Sequence, residues 1–369
     1  MLAYIIRRVL LIVPTLFGIM VLNFGIVQFA PGGPVEQLIA EIQGRAGPAT
    51  ARVGGGGTET LGGQGQQQAT GATQSSTYRG ARGLDPKFIK DLERQFGFDK
   101  PAYVRFGLMI RNYLTFDFGK SFFKNRPVVD LVLEKLPVSI SIGLWTTLLG
   151  YLISIPLGVA KAVRDGSRFD LWSTTIITAG SAIPAFLFAV LLIVLFAGGR
   201  YFDWFPLRGL VSDNWSDMSW PDKIVDYLWH MTLPILALTI GGFTALTLLV
   251  KNSFLEEINK LYVSTARAKG LTERQVLYGH VFRNAMLIPI SGFPSALVGI
   301  FFGGAFLIEA IFSLDGLGLL SYEATINRDY PVIFGSLYVF TLLGLFVNLA
   351  GDLTYTIVDP RIDFERRET

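Results

Sequence analysis

Six stretches of the sequence carry no charged side chain over 20 or more residues, and this pattern constrains the fold more than any other feature. They are residues 9–30, 136–160, 171–199, 231–250, 284–308 and 330–351. About 20 helical residues cross the roughly 30 Å hydrocarbon core of a bilayer. Because lipid offers no hydrogen-bond partner to the backbone, each stretch is predicted to be a transmembrane helix. Buried helices of a large soluble protein would need polar faces, which these stretches lack.

Composition agrees with a chain built largely from such helices. Hydrophobic residues make up 51% of the 369 positions and charged residues only 17%, against about 25% charged residues in an average soluble domain. The first stretch follows Arg7 and Arg8, as a signal peptide would, but it exceeds the roughly 7–15 apolar residues of a signal core. It is therefore interpreted as a retained anchor. The predicted fold class is an all-α polytopic membrane protein with six transmembrane helices.

Basic residues are distributed unevenly between the connecting segments. Loop 161–170 and segment 251–283 are rich in Lys and Arg, whereas loops 200–230 and 309–329 are balanced or acidic. Under the positive-inside rule, this asymmetry predicts that both termini and the two basic segments are cytoplasmic. The same topology places segment 31–135 outside the cytoplasm.

The chain divides into an anchor, an outer segment, a membrane core and a tail. Residues 44–83 are rich in Gly, Gln, Thr, Ser and Ala and are predicted to form a flexible insert, because few large apolar side chains offset the entropy of ordering. Helical spacing of apolar residues predicts short amphipathic helices within 84–135. The predicted parts are 1–30 (N-terminal tail and first transmembrane helix), 31–135 (extracytoplasmic segment), 136–358 (five-helix core) and 359–369 (cytoplasmic tail).

No catalytic signature is recognisable in the sequence. The chain has no Cys, which excludes disulfides and cysteine-ligated metals. A near-match to a phosphate-binding loop at residues 114–121 has Leu114 in place of the first Gly and lacks a strand–helix context. His230 and His280 fall on opposite sides of the membrane in the predicted topology, so they do not share a metal. A net charge of +3 is too small to indicate a nucleic-acid partner.

Two acidic residues, Glu309 and Asp352, stand at the ends of charge-free stretches. Charged residues inside spans mark ion pathways, but residues at span ends are expected to lie at the membrane interface. A stand-alone channel or secondary carrier, which is the main alternative function, predicts charged pairs at mid-span. The sequence shows no such pairs.

The most unusual segment is VSTARAKGLTERQVLYGHVFRNA, residues 263–285. The letters YVSTARAK predict a short helix, which Gly270 ends in the left-handed conformation. Thr272 and Gln275 form a capping-box pattern at the start of a second helix that leads toward the fifth span. The sequence thus predicts a helix–Gly–helix elbow over residues 259–284, fixed to the membrane core.

The predicted elbow presents small and basic side chains at its tip. Small side chains let a helix enter a groove closely, and basic side chains suit an acidic rim, so the tip is a candidate plug for a socket on another protein. An amphipathic helix resting on anionic membrane lipid is an equally open interpretation. The candidate contact residues are Ser264, Thr265, Ala266, Arg267, Ala268, Lys269, Gly270 and Leu271.

The elbow resembles the EAA loop of ABC-importer inner-membrane permeases, in the form found in the oligopeptide/dipeptide/nickel group. Further motifs agree over essentially the whole chain: APGGP after the first span, FPLRG before the fourth, FSLDGLG after the fifth and DPRID near the end. The longer motifs APGGPVEQ, YRGARGLDP and DPRIDFE look most like the Yej-type permeases of microcin C and oligopeptide uptake. In place of Glu-Ala-Ala the chain has Ser264, Thr265 and Ala266, with Gly270 in register, and the Ile-x-Leu-Pro end is displaced to residues 287–289.

The resemblance implies the type I ABC-importer permease fold and movement of peptides or peptide-like compounds (oligopeptide, dipeptide, microcin C type) across the bacterial inner membrane. It implies three protein partners: a second homologous permease subunit, cytoplasmic ATP-binding-cassette ATPase subunits and an extracytoplasmic solute-binding protein. The elbow would be the coupling helix, and membrane lipid would surround the spans. ATP and Mg would be bound by the partner ATPases, so neither a cofactor nor enzymatic activity is expected of this chain.

Overall fold

The computed structural model describes residues 2–29, 99–199, 201–293, 296 and 305–358. These residues are largely helical and contain no β-strand, apart from an isolated bridge between Lys120 and Pro127. Some of the predicted features lie outside the described residues. They are the insert 44–83, the first amphipathic helix near 84–98 and the tail 359–369.

Helices account for most of the described chain. The α-helices are α1 (Leu2–Phe29), α2 (Ala102–Tyr113), α3 (Val128–Val163), α4 (Arg168–Ser181), α5 (Ala185–Phe196), α6 (Trp220–Ile258), α7 (Leu261–Ala268), α8 (Glu273–Val276), α9 (Phe282–Ala285), α10 (Ala305–Ile311), α11 (Leu317–Asn327) and α12 (Tyr330–Val358). A π-helical turn, Leu277–Val281, joins α8 to α9. The amphipathic helix predicted for PAYVRFGLMIRNYL is confirmed as α2.

Four helices within the described residues are long and apolar enough to cross a membrane. These candidate spans are Tyr4–Gln28, Val128–Val163, Trp220–Ile258 and Tyr330–Leu353. The bent pair of α4 and α5 raises the number to five if it is one span. The fifth predicted stretch, 284–308, is described only in part, and six spans stay a prediction.

The third predicted stretch, 171–199, is a broken helix rather than a continuous one. Its two halves, α4 and α5, meet at an angle of 90°. The break falls at Pro184, which has no N–H to donate and disfavours the helical conformation of Ile183 before it. After Ala182 donates to Thr178 at 3.1 Å, the helical ladder stops and a new helix begins at Ala185.

Two of the helices extend well beyond the charge-free stretches that predicted them. α3 begins at Val128 and α6 at Trp220, whereas charge-free residues begin only at 136 and 231. The added turns carry polar residues such as Asp130 and Asp222 in the first turn of each helix. Negative charge there interacts favourably with the N-terminal end of the helix dipole. α3 and α6 are therefore longer than the charge-free stretches that were predicted to cross the membrane.

The described residues form two compact units, each with its own interior. The first comprises the described residues of 1–13, 136–318 and 340–369, and the second those of 14–135 and 319–339. In the first unit, α3, α5, α6 and α10 share a hydrophobic core. Its most deeply buried members include Ile142, Ala189, Met231, Ala237 and Ile308.

The second unit is held together by aromatic contacts and by one buried carboxylate. The Tyr113 and Phe118 rings pack edge to face, with their centroids 4.8 Å apart. Asp329 accepts hydrogen bonds from the Ser121 hydroxyl at 2.5 Å and from the Phe122 N–H at 3.1 Å. Burial raises the pKa of the Asp329 carboxyl, and these hydrogen bonds oppose the shift. The segment that superficially resembled a phosphate loop thus ends at Ser121 in a structural contact.

Glu309, which was expected at the membrane interface, is enclosed by neighbouring protein elements rather than exposed at the protein surface. The residue is fully buried in the first unit. The Ser139 hydroxyl lies 3.3 Å from its Oε1 atom and also accepts the Leu317 N–H at 2.8 Å. Gly316 packs directly on the carboxylate, because a Cβ atom there would lie 2.4 Å from Glu309 Cδ. Hydropathy missed this placement because it does not report which neighbouring element covers a residue.

Candidate functional site

The elbow, residues 259–284, is built from two helical segments joined by a glycine turn. α7 ends at Gly270, whose φ of 84° lies in the left-handed region. The Gly270 N–H donates to the Arg267 carbonyl at 2.9 Å, and the Leu271 N–H donates to the Ala266 carbonyl at 3.4 Å. This pair of hydrogen bonds is the Schellman arrangement that satisfies the last carbonyls of a helix. The predicted left-handed cap is confirmed.

The second arm of the elbow begins with the predicted capping box. The Thr272 hydroxyl accepts the Gln275 N–H at 3.4 Å, and the Gln275 side chain accepts the Thr272 N–H at 2.9 Å. The arm then passes through the π-helical turn Leu277–Val281 into α9. π-Helical turns are rare and are frequent at functional sites. No residue pattern in the sequence predicted this turn.

The inner face of the elbow packs against the ends of two long helices. Val263, Ala266, Val276 and Val281 of the elbow are buried in one hydrophobic cluster. The rest of that cluster includes four residues that we call the platform: Val159 and Ala162 of α3, and Val250 and Phe254 of α6. The elbow is therefore mounted on the platform rather than tethered by a flexible loop.

The outer face of α7 carries a row of exposed residues at helical spacing. Leu261 is 87% exposed, and Ser264, Thr265 and Ala268 follow on the same face. We call these four residues the outer stripe. The Thr265 hydroxyl donates to the Leu261 carbonyl at 3.0 Å, so its one donor proton is used within the helix. The outer stripe is thus a small, uncharged surface with one large apolar residue at its end.

Arg267 and Glu273 pair across the glycine turn. Arg267 Nε lies 2.8 Å from Glu273 Oε1, and a second guanidinium nitrogen lies 3.1 Å from Oε2. Hydrogen bonding to Glu273 raises the pKa of the Arg267 guanidinium. The pair links the two arms of the elbow. It also neutralises the Arg267 charge, which the sequence predicted to face an acidic rim on a partner protein.

A cluster of hydrogen-bonded polar side chains lies at the base of the elbow. Tyr262 donates to Glu257 at 2.7 Å and accepts from the Asn284 side chain at 3.2 Å. Lys260 also pairs with Glu257. Hydrogen bonding to Glu257 raises the pKa of Lys260, while burial and then the Glu257 contact raise the pKa of Tyr262. These contacts join the start of α7 to the end of α6 and to α9.

Six of the eight predicted contact residues are exposed, and two are not. The exposed ones are Ser264, Thr265, Arg267, Ala268, Lys269 and Gly270. Ala266 is 7% exposed, so the prediction that its side chain lines the tip is wrong. Leu271 is partly buried in the cluster beneath the elbow, and its contact with a partner stays a prediction. Leu261 was not among the predicted residues, although its position one helical turn before Ser264 and Thr265 was a usable signal.

The described part of the chain offers no metal centre. Among those residues, no group of three or more His, Cys, Asp or Glu side chains is placed to hold a metal ion. The elbow itself consists of capped helices, an ion pair and small exposed side chains. Its arrangement suits contact with another surface.

The region that includes the elbow matches a known protein family. The family model described as "Binding-protein-dependent transport system inner membrane component" matches residues 154–364. That range covers more than half of the chain and contains α4 to α12.

Relatives match over nearly the full length. The "Peptidoglycan transport system permease protein YejB" of Agrobacterium fabrum is 59% identical over 99% of both chains. The "Inner membrane ABC transporter permease protein YejB" of Escherichia coli O157:H7 is 58% identical over 99% of this chain and 100% of its own. The "Oligopeptide transport system permease protein AppB" of Bacillus subtilis is 32% identical over 99% of this chain and 100% of its own.

Proposed function

The chain belongs to the family of inner-membrane components of binding-protein-dependent transport systems, and we propose that it is the permease subunit of an ABC importer for peptides or peptide-like compounds. Its relatives are permease subunits rather than enzymes. Membership of the family therefore implies ATPase and substrate-binding-protein partners. Under the proposal, ATP and Mg bind to the ATPase subunits, and a second homologous permease subunit completes the translocation path.

The outer stripe is the proposed contact surface for an ATPase subunit. All four of its side chains are exposed and uncharged, and three of them are small, so a groove can approach the α7 backbone closely. Arg267 is paired with Glu273 within the elbow, which weakens the case for a cation held out toward anionic lipid. The single observation that carries the proposal is that α7 packs on the platform and leaves the outer stripe exposed.

The topology that follows has six spans, with both termini and the elbow in the cytoplasm. The proposed architecture is the type I ABC-importer permease fold. The unequal distribution of basic residues supports this orientation. Broken helices such as α4–α5 occur in membrane proteins where irregular backbone is buried in protein or lines a cavity.

The proposed substrate class comes from the relatives' names. One relative is named for peptidoglycan transport and another for oligopeptide transport, and the shared chemistry is a peptide segment. Microcin C type compounds fall within the same class and were suggested by the motif resemblance. Selection among peptides is expected to lie mainly in the binding protein.

A bulky substitution on the outer stripe tests the docking proposal. Ala268→Trp adds an indole to an exposed position, so the permease should still fold and insert. We expect reconstituted vesicles with this variant to lose ATPase recovery in pull-down, ligand-stimulated hydrolysis and uptake of labelled oligopeptides.

The matched control is Glu256→Trp, an equally bulky change at a side chain on α6 that is 71% exposed. It should retain all three activities. Normal pull-down and hydrolysis with Ala268→Trp would overturn docking through the outer stripe. If wild-type vesicles with coupled hydrolysis take up none of the oligopeptides tested, the peptide assignment is contradicted.

A further inference from the structure

A cluster of charges with a buried centre lies where α3, α4 and α6 meet. We call it the Asp170 network, and its members are Lys161, Asp165, Asp170 and Lys251. Lys161 is fully buried and Asp170 is 7% exposed. The transport function proposed above gives this network no role.

The Asp170 carboxylate is the centre of the network. Lys161 Nζ lies 3.0 Å from Asp170 Oδ1, and Lys251 Nζ lies 2.6 Å from Oδ2. The Gly166 N–H also donates to Oδ2, at 3.2 Å. One carboxylate therefore joins the end of α3, the loop before α4 and the body of α6. Lys251 has a second partner in Asp165, at 2.7 Å.

Lys161 has further polar contacts with α4, because its Nζ donates to the Asp170 carbonyl at 2.9 Å and lies close to two hydroxyl groups. Lys161 Nζ lies 2.9 Å from Ser173 Oγ and 2.5 Å from Thr174 Oγ1. Both hydroxyls also donate to the Asp170 carbonyl, at 3.1 Å and 2.7 Å. These two hydroxyls keep a partner in α4 even when the lysine is removed.

The network lies beside the platform of the elbow along the chain. Lys161 directly precedes Ala162, and Lys251 directly follows Val250, and both neighbours are platform residues. α3 and α6 approach closely at this level, because a Cβ atom on Gly158 would lie 2.7 Å from the Val250 side chain. The two helix ends that hold the elbow are thus the ones that Asp170 joins to α4.

A buried network of this kind is weak evidence for added stability. Removing two charges from water is unfavourable, and replacement of a buried ion pair by apolar residues of similar volume is often neutral or stabilising. What a network of this kind supplies is directional contact, since each charged atom must meet its partner at a fixed distance. Here the fixed elements are α4 and the two helix ends of the platform.

We propose that Asp170 is a positioning residue for energy coupling, because its carboxylate fixes α4 to the platform and so sets the position of the elbow relative to the broken helix α4–α5. The role in coupling rests on the proposed function, whereas the mechanical link stands on the geometry. Movement of α4 reaches the elbow through the two lysines, and movement of the elbow reaches α4 by the same contacts.

The mechanical link is testable by distance measurement in the full chain. Because the sequence has no Cys, Thr175→Cys on α4 and Arg274→Cys on the elbow provide two unique, exposed sites for nitroxide labels. Double electron–electron resonance in lipid nanodiscs should give a narrow distance distribution. We expect Asp170→Asn to broaden or shift it.

A triple variant separates positioning from charge balance. Lys161→Met, Asp170→Leu and Lys251→Met together replace the buried charges by apolar side chains, so the protein should accumulate even if Asp170→Asn does not. Asp165 is 52% exposed and remains solvated. We expect the triple variant to keep ATPase recovery and basal hydrolysis, to lose ligand stimulation and to show a broadened label distance.

The outcomes distinguish this inference from docking. A wild-type label distance and wild-type ligand stimulation in the triple variant would overturn the positioning role of Asp170. If Ala268→Trp keeps its ATPases, docking through the outer stripe fails, yet the label distances still decide whether Asp170 links α4 to the elbow. If Ala268→Trp loses them while the triple variant couples normally, only the positioning role fails.

Discussion

The elbow and the Asp170 network lie close together, but they are held by different kinds of interaction. The elbow has an exposed outer surface, and the hydrogen bonds of its glycine turn and capping box join residues at most six positions apart, such as Arg267 with Glu273. The network is buried, and its central contact joins Asp170 to Lys251 across 81 positions. Loss of a local cap disturbs one turn, whereas loss of a long-range contact disturbs the relation between helices.

Under the proposed function, this difference gives the two regions separate roles. Local hydrogen bonds give the elbow a defined surface, which is sufficient for contact with a partner. Long-range contacts determine where that surface is held. A change in the platform should therefore be more damaging than a change in a cap of the elbow.

The largest effect is expected at the close approach of α3 and α6. In Gly158→Ala the new Cβ atom would lie 2.7 Å from the Val250 side chain and 2.8 Å from the Thr247 carbonyl oxygen. Overpacking of this kind destabilises by about 1–3 kcal/mol. The measurement is the thermal unfolding midpoint in detergent, followed by tryptophan fluorescence.

Gly150→Ala is the matched control on the same helix. No atom lies within 4 Å of its added Cβ, and Ala is favoured over Gly in a helix by up to about 1 kcal/mol. The two substitutions should thus shift the midpoint in opposite directions. Equal shifts would contradict the close approach of α3 and α6.

A smaller effect is expected in the elbow itself. Thr272→Ala removes the capping box, and loss of an N-cap typically destabilises by about 1 kcal/mol. The consequence should be faster hydrogen exchange of the amides that follow Thr272, with little change in the global unfolding midpoint. Thr175→Ala is the control, because the Thr175 hydroxyl only bonds back to Leu171 within α4. A global loss of stability with Thr272→Ala would break the distinction between the two regions.

The elbow could be predicted from the sequence because its signals are local. Gly270 sits where a left-handed cap is required, and Thr272 and Gln275 stand at capping-box spacing. The error over Ala266 arose from treating a run of small residues as one surface. In a helix, residues 266 and 263 turn toward the core while their neighbours face outward.

The network and the buried Glu309 could not be predicted in the same way. Lys161 was counted with other basic residues of a cytoplasmic loop, and nothing local shows that it meets Asp170 and Lys251. Glu309 stands at the end of a charge-free stretch, and only the fold shows that Gly316 covers its carboxylate. Hydropathy indicates which segments enter lipid, but not which side chains converge once the helices pack.

The most direct test of the central claim is protection of the outer stripe by the partner ATPases. Ala268→Cys provides a single thiol in a chain without Cys, and Glu256→Cys provides an exposed control outside the elbow. Maleimide labelling is measured in membranes with the ATPase subunits present and after they are stripped. The docking account predicts that the subunits block labelling at position 268 but not at 256. The account would be contradicted if position 268 were labelled as strongly in membranes with an intact complex as in stripped membranes.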